Sequence, residues 1–134
     1  LEESREMTSK WVGNDLSLIR LIAPTTPLSR MKEISDSGSG FLYLVSKTGV
    51  TGSSGLDTSN IEKQVNDLRS VTNLPISVGF GISTAQDVKV ISKFADGIVI
   101  GSAFETLIES SLKNKNLPII MGKKMKEYKE ATKL

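Results

Sequence analysis

The 134-residue sequence contains no cysteine and no histidine, and aromatic residues make up only 5% of it. Without cysteine, these residues form no disulfide, thiolate nucleophile or cysteine-ligated zinc site. Without histidine, they hold no Ser-His-Asp triad and no imidazole metal ligand, and we expect no metal site. Acid–base chemistry within these residues must therefore fall to Asp, Glu, Lys or Tyr.

Long apolar runs are missing as well. No stretch reaches the roughly 18 apolar residues of a membrane-spanning helix, and the first residues lack the layout of a signal peptide. The sequence begins at Leu1 without an initiator methionine, which indicates a fragment or a processed chain. The lack of cysteine fits the cytoplasm, and we expect that location, with the plastid stroma as the alternative.

The composition that remains indicates one folded domain over residues 1–134. Apolar residues make up 38% and charged residues 24%, and the formal net charge is +2. This balance is typical of a single globular domain, and the scarcity of aromatics means that aliphatic side chains must build its core.

The end of the chain is basic, with seven lysines and two glutamates from Lys113 onward. Such a tail could bind nucleic acid or a membrane surface. Met121, Met125 and Tyr128, however, recur on one helical stripe, which favours a docked terminal helix with its lysines in solvent. We therefore expect neither nucleic acid nor membrane as a partner. Spacing of i, i+4 predicts two weak ion pairs, Lys123 with Glu127 and Lys126 with Glu130.

Four short runs rich in Ile, Val and Leu predict β-strands. They show little alternation, which is typical of strands buried on both faces of a parallel sheet. The runs cover residues 18–23, 41–45, 76–80 and 98–100.

Each predicted strand is followed by turn residues and then by apolar residues at helical spacing. Candidate capping boxes, Ser59 with Glu62 and Ser83 with Gln86, precede the second and third of these helices. A further helix is predicted over residues 3–12. The four helical stripes are Leu28, Met31 and Ile34; Ile61, Val65 and Leu68; Val88, Ile91 and Phe94; and Phe104, Leu107, Ile108 and Leu112.

Alternating strands and helices predict an α/β fold with a parallel sheet and right-handed crossovers. A complete eight-stranded barrel needs at least about 200 residues, so four βα units form either an open doubly wound sheet or half of a barrel. The Rossmann fingerprint is absent, because Pro24-Thr25-Thr26-Pro27 stands where its glycines would lie.

Glycine-rich loops follow the last three predicted strands, at residues 49–52, 79–84 and 101–103. Glycine lets a backbone approach a ligand closely, and a helix N-terminus offers unpaired N–H groups to an anion. Two such loops on consecutive strands favour a phosphate site over simple tight turns. Barrels commonly bind phosphate after strands seven and eight, which assigns these strands to barrel positions five to eight.

No carboxylate lies at the tip of a predicted strand. Asp57 lies deep in a loop, and Asp87 and Glu105 lie one turn into helices, where they favour the helix dipole. Lys47 closely follows a strand, as a Schiff-base lysine can, although a solvated loop lysine is the commoner case. Tyr43 lies in mid-strand and is either a pocket wall or ordinary core.

Several motifs occurring in order resemble the tryptophan synthase α chain family. The resemblance covers nearly all of this sequence but only the second half of the family's chain, which is about twice as long. The matching segments are Glu2-Glu3-Ser4, Ile22-Ala23-Pro24, Leu42-Tyr43-Leu44-Val45-Ser46, Thr48-Gly49-Val50-Thr51-Gly52, Gly79-Phe80-Gly81-Ile82-Ser83 and Gly97-Ile98-Val99-Ile100-Gly101-Ser102-Ala103.

The resemblance implies the C-terminal half of a (βα)8 TIM barrel. The family splits indole-3-glycerol phosphate into indole and glyceraldehyde 3-phosphate, and a β chain carrying pyridoxal phosphate joins it in an α2β2 tetramer. The α chain itself needs no cofactor. The loop over residues 47–57 would be a lid facing the β chain. The implied phosphate ligands are the N–H groups of Gly52, Gly81, Gly101 and Ser102, and the implied indole pocket is Ile22, Tyr43 and Phe80.

The resemblance also implies that the family's catalytic glutamate and aspartate belong to the other half, so we assign no catalytic residue here. An intact chain would be a carbon–carbon lyase, and this half alone would be inactive. Two alternatives stay open: a stand-alone lyase that releases indole without a β partner, and a non-catalytic phosphate-binding subunit.

Overall fold

A computed structural model describes Glu6, Thr8 and residues 16–46 and 56–133 of the chain. Within these ranges strands and helices alternate as predicted. The helix predicted over residues 3–12 lies outside the described residues except for Glu6 and Thr8, which are helical. The elements are β1 (Arg20–Ile22), α1 (Leu28–Asp36), β2 (Leu42–Val45), α2 (Thr58–Arg69), β3 (Ile76–Gly79), α3 (Ala85–Ile91), β4 (Gly97–Val99), α4 (Ser102–Ser111) and α5 (Leu117–Ala131).

The four strands form one parallel sheet in the order β1-β2-β3-β4. Each strand therefore lies beside the next strand along the chain. The register places Leu21 opposite Tyr43, Tyr43 opposite Ser77, and Ser77 opposite Gly97. Within the described part of the chain, β1 and β4 are the open edges of this sheet.

The two faces of the sheet differ in burial. One face, which we call the covered face, is packed under helices, and its side chains are fully buried: Ile22, Leu42, Leu44, Ile76 and Val78. The opposite face, which we call the bare face, carries Leu21, Tyr43, Val45, Ser77 and Val99.

Leu21 is 60% exposed and Val99 is 37% exposed, so the expectation of strands buried on both faces is wrong for the described residues. The physical reason is that the described helices pack on one side of the sheet only, so no described element covers the other side of each strand. A doubly wound sheet has helices on both faces, whereas a barrel has them outside only. The observed packing therefore favours half of a barrel.

Helical side chains complete the core under the covered face. Met31 of α1, Ile61, Val65 and Leu68 of α2, and Val88 and Ile91 of α3 are buried as their stripes predict. The stripe of α4 is less buried: Phe104 packs against the core, but Leu112 is 70% exposed.

In α5, Tyr128 is buried, whereas Met125 is 55% exposed, which differs from the prediction. The half-buried Met121 and Lys124 share the inner side of α5 with Tyr128, so the helix is rotated relative to the predicted stripe. Its ion pairs also differ, because Lys124 pairs with Glu127 and Lys133 with Glu130 at i, i+3 spacing.

Two helices begin at caps other than the predicted ones. Asp57 caps α2, accepting a hydrogen bond from the Asn60 N–H at 3.1 Å, so Ser59 lies inside the helix. Thr84 caps α3 in a reciprocal capping box with Asp87, which replaces the predicted box of Ser83 and Gln86. Ser, Thr and Asp all suit an N-cap, and packing of the apolar face decides among neighbouring candidates.

An ion pair and a backbone hydrogen bond meet at the amino end of β3. Both carboxylate oxygens of Asp96 lie 3.0 Å from Nη2 of Arg69, and one of them accepts the Ile76 N–H at 2.8 Å. Burial raises the pKa of Asp96, but the hydrogen bonds from Arg69 and Ile76 and the Arg69 charge outweigh it, so the pKa lies below its ordinary value.

None of the helices in the described ranges is long and apolar enough to span a membrane.

Candidate functional site

A cavity of about 270 Å³ opens at the carboxyl ends of β3 and β4. Parallel α/β folds bind ligands at this end of the sheet. The cavity borders the bare face, because Tyr43 and Val99 belong to both. Its lining residues are Tyr43, Phe80, Ile82, Val99, Gly101, Ser102 and Glu105.

The structure brings four of the residues expected at the site to this cavity, namely Tyr43, Phe80, Gly101 and Ser102. Gly81 does not line it directly but lies between two residues that do. Gly52 falls outside the described residues.

Ile22 is not brought to this cavity. Its side chain is fully buried in the core of the covered face, whereas Tyr43 lies on the bare face. Successive strand residues point to opposite faces, so Leu21, the register partner of Tyr43, occupies the side that the expectation gave to Ile22.

The turn after β3 has an uncommon backbone conformation. Phe80 has a φ of 75° and Gly81 a φ of 74°, both in the left-handed region. Glycine adopts this region readily, but a bulky residue there is an outlier that costs on the order of 1–3 kcal/mol and commonly marks a functional site. The Phe80 ring is 58% exposed and meets the Tyr43 ring edge-on, with the centroids 6.3 Å apart.

Hydroxyl groups of two residues outside this turn donate hydrogen bonds to its backbone carbonyls. Ser46, directly after β2, donates its N–H to the Gly79 carbonyl at 2.8 Å, and its Oγ lies 2.7 Å from the same oxygen. The Ser46 Oγ also bonds the Phe80 carbonyl. From α5, the buried Tyr128 donates its hydroxyl to the Ser83 carbonyl at 2.7 Å. Neither role was readable from the sequence, because neither residue has a neighbour in sequence that reveals its partner.

The α3 terminus uses some of its own donors. The Asp87 carboxylate accepts the N–H groups of Ser83 at 3.2 Å and Thr84 at 2.9 Å. Within the described ranges, the N–H groups of Gly81 and Ile82 have no acceptor. The N–H groups that the β3 loop can offer to a ligand are therefore those of Gly81 and Ile82, within the turn itself.

The α4 terminus, in contrast, has no side-chain cap at its N-cap residue Gly101. No described group accepts the N–H of Ser102 or Ala103. A β-carbon at Gly101 would meet no described atom within 4 Å, so open space lies beside these donors. Uncapped N–H groups with the positive end of the helix dipole favour an anion.

Two lining side chains shape the electrostatics of the cavity. Burial raises the pKa of the Tyr43 phenol, so the hydroxyl stays protonated at neutral pH and can donate a hydrogen bond. Glu105, in the first turn of α4, brings a carboxylate to the cavity wall. The sequence interpretation of Glu105 as a helix-dipole residue did not predict that position.

In the described part of the chain, consecutive parallel strands, helices on one face only and a cavity at the carboxyl ends of the strands define four βα units of a (βα)8-barrel protein. The sequence matches the family model described as tryptophan synthase alpha chain over residues 1–133. The chain belongs to this family.

Relatives of known family agree with this assignment. The tryptophan synthase alpha chain of Desulfosudis oleivorans is 57% identical over 133 residues, which cover 99% of this chain and 50% of the relative. The alpha chain of Desulfatibacillum aliphaticivorans is 52% identical over 132 residues, covering 98% and 50%. The chain thus spans about half the length of the curated relatives it matches.

Solved structures confirm the predicted fold. Tryptophan synthase subunit alpha from Campylobacter jejuni is 38% identical and superposes with a TM-score of 0.75, covering 91% of this chain and 48% of its own. A structure of Mycobacterium tuberculosis tryptophan synthase is 26% identical, with a TM-score of 0.80 and coverage of 99% and 48%. The described strands and helices are about half of such a barrel.

Proposed function

We propose that the intact protein of which these residues form half is a carbon–carbon lyase that cleaves indole-3-glycerol phosphate to indole and glyceraldehyde 3-phosphate. The observation that carries the proposal is the cavity at the ends of β3 and β4, which combines unpaired backbone N–H groups with two aromatic rings. An anionic phosphate suits the N–H groups, and an indole suits the rings. Family membership supports the same substrate.

In this proposal the N–H groups of Gly81, Gly101 and Ser102 hold the phosphate, joined by Gly52 from the loop beyond β2. Backbone donors at a helix start bind a phosphate without a charged side chain. Tyr43 and Phe80 already meet edge-on, and such rings can receive a further aromatic ring in offset or edge-on contact.

The chemistry would be a retro-aldol cleavage assisted by carboxylates from the other half of the barrel. A glutamate there would assist proton transfer on the glycerol side, and an aspartate would balance charge on the indole nitrogen. Glu105 is the one carboxylate among the cavity's described lining residues. It lies in the helix turn that offers the phosphate donors, so we give it no catalytic role.

We further propose that residues 1–134 form one unit, the C-terminal half of the barrel with strands five to eight. Closure with four more strands would cover the bare face and pair the edges of β1 and β4. A β chain would then bind as in an α2β2 tetramer. The expected cytoplasmic location stays a prediction.

A hybrid chain tests this function. In it, residues 1–134 replace the matching half of the Desulfosudis oleivorans relative, and indole release from indole-3-glycerol phosphate is measured. We expect turnover from the hybrid and none from residues 1–134 alone, because acid–base groups typically contribute about 10²–10⁴-fold each. A folded hybrid without activity, beside an active parent relative, would contradict the lyase proposal and favour a non-catalytic phosphate-binding subunit.

Gly101→Val in the hybrid tests the phosphate site separately. The new side chain meets no described protein atom within 4 Å of its β-carbon, so it adds bulk beside the donors without a clash. We expect inorganic phosphate binding to be lost, whereas the unfolding midpoint changes little. Unchanged phosphate affinity would show that the assigned site is wrong. Turnover of the unmutated hybrid that does not rise when a β chain is added would favour the stand-alone lyase.

A further inference from the structure

Ser46 joins the carboxyl ends of two neighbouring strands. It follows β2 directly, and its N–H and Oγ lie 2.8 Å and 2.7 Å from the carbonyl oxygen of Gly79, the last residue of β3. The Oγ also reaches the carbonyl of Phe80. A serine hydroxyl has one proton, so it is shared between these two oxygens. Ser46 thereby holds the left-handed turn at its first two peptides.

The bond to the Phe80 carbonyl fixes the direction of a second group. The Phe80 carbonyl and the Gly81 N–H belong to one planar trans peptide, in which they point in opposite directions. In the sheet order, β2 lies on one side of β3 and β4 on the other. With its carbonyl turned toward Ser46, this peptide presents the Gly81 N–H toward the β4 side, where Gly101 and Ser102 follow the strand.

We propose that Ser46 is a positioning residue for phosphate binding. Its hydroxyl orients the peptide between Phe80 and Gly81 so that the Gly81 N–H converges with the α4 donors on one anion. The inference rests on the proposed function, since it concerns the same phosphate. It also gives a reason for the left-handed Phe80, whose conformational cost the Ser46 bonds offset.

Tyr128 offers a matched control at the other end of the same turn. Its hydroxyl bonds the Ser83 carbonyl at 2.7 Å, a contact similar to that of Ser46. The N–H of that peptide belongs to Thr84, and the Asp87 carboxylate already accepts it at 2.9 Å. Loss of the Tyr128 hydroxyl therefore removes a comparable hydrogen bond without freeing a donor that faces the anion.

The test uses three variants of the hybrid chain: Ser46→Ala, Ser46→Thr and Tyr128→Phe. Calorimetry measures the affinity for inorganic phosphate, and steady-state kinetics separates KM from kcat. We expect Ser46→Ala to weaken phosphate binding about tenfold, as the loss of one well-placed hydrogen bond predicts. KM should rise with it while kcat changes little, because phosphate binding acts on substrate and transition state alike. Ser46→Thr keeps the hydroxyl and should restore affinity, and Tyr128→Phe should bind as the parent hybrid does.

Two results would overturn the inference: unchanged affinity in Ser46→Ala, or an equal loss in Tyr128→Phe, which would show general loosening of the turn. A parent hybrid that binds no phosphate with Ser46 intact would instead contradict the proposed function. The backbone amide signal of Gly81 in a nitrogen-15 spectrum separates the two cases. It should shift in Ser46→Ala without any phosphate present if Ser46 orients this peptide, and an unmoved signal would refute that orientation.

Discussion

The two faces of the sheet are formed by the same four strands but have different roles: one face packs into the core, and the other borders the candidate site. On the covered face, Leu44 and Val78 have no exposed surface, and they pack under helices. On the bare face, one residue away along the strands, Leu21 is 60% exposed and Tyr43 borders the cavity. The described core and the candidate site therefore share a backbone but hardly any side chains. Substitutions can consequently change the stability of the fold and the binding of a ligand independently.

The largest expected effect separates the two faces directly. Leu44→Ala removes a fully buried side chain and should cost about 2–5 kcal/mol of unfolding free energy. Leu21→Ala in residues 1–134 alone should change it by no more than about 0.5 kcal/mol, as at most surface positions. In the hybrid chain, Leu21 would lie inside a closed barrel, and its truncation should then cost as much as Leu44→Ala. Urea unfolding of both chains measures these values, and an equal cost of Leu21→Ala in both would contradict barrel closure.

A second prediction concerns the close packing of Gly79 against the Tyr43 side chain on the bare face. A β-carbon at Gly79 would lie 2.1 Å from the Tyr43 hydroxyl, so Gly79→Ala must displace the tyrosine ring. We expect a cost of about 1–3 kcal/mol, as for other overpacked sites. Tyr43→Ala removes the obstacle, and the double variant should lose less than the sum of the single ones. A double-mutant cycle of unfolding free energies checks this, and strict additivity would show that the two residues do not touch.

A third prediction concerns charge in the cavity. Glu105 lines the same space as Gly101 and Ser102, so its carboxylate should repel a bound phosphate. Glu105→Gln should tighten inorganic phosphate binding several-fold, in line with about 1 kcal/mol for two charges some 4 Å apart in water. The gain should shrink as salt is added, because salt screens such pairs. Glu109→Gln, one turn further along α4, is the matched control, and an equal gain there would indicate a general effect of net charge.

The smallest effect is expected at the amino end of the sheet, away from the cavity. The pKa of Asp96 is lowered in the folded state, so its tie to Arg69 and Ile76 stabilises the fold above the ordinary value of 3.8 and is lost as the pH falls through the lowered pKa. Asp96→Asn should flatten the acid limb of the stability curve. Because both side chains of the ion pair are partly exposed, the loss at neutral pH should stay below about 1 kcal/mol. Thermal unfolding from pH 2 to 7 measures the stability at neutral pH and its decrease in acid. If Asp96→Asn leaves the decrease in acid unchanged, Asp96 is not its cause.

The sequence predicted the order of strands and helices because hydrophobic runs and stripes report burial directly. All four strands lie within or one residue beyond the predicted runs, and the stripes of α2 and α3 face the core. In α1, Met31 and Ile34 face the core, but Leu28 is 48% exposed, which differs from the prediction. The side on which the helices pack was not readable, since runs such as residues 41–45 contain apolar residues at both alternating positions. Met125 illustrates the same limit, because Met121, Met125 and Tyr128 fit one stripe while packing of α5 selects only part of it.

The candidate site was predictable where local chemistry is enough. Glycines after a strand and before a helix pointed to Gly101 and Ser102 without knowledge of any contact. The left-handed Phe80 was not predictable, because the Ser46 hydroxyl that bonds its carbonyl follows β2 and lies far away in sequence. The position of Ile22 in the core of the covered face was not predictable for a related reason: a motif match gives a position in the chain but not which face of the strand the side chain occupies.

The consecutive strand order sets the route by which this half can fold. Among the described residues each of the first three strands pairs with the next one along the chain, and none of these pairings requires a segment that is distant in sequence. Chains with such local pairing close small loops first and fold faster than chains with distant pairings. A chain leaving the ribosome can therefore add each βα unit to the one before it, with the newest strand always at the growing edge. The last unit brings Gly101 and Ser102, so the proposed phosphate site would be completed only at the end of this sequence.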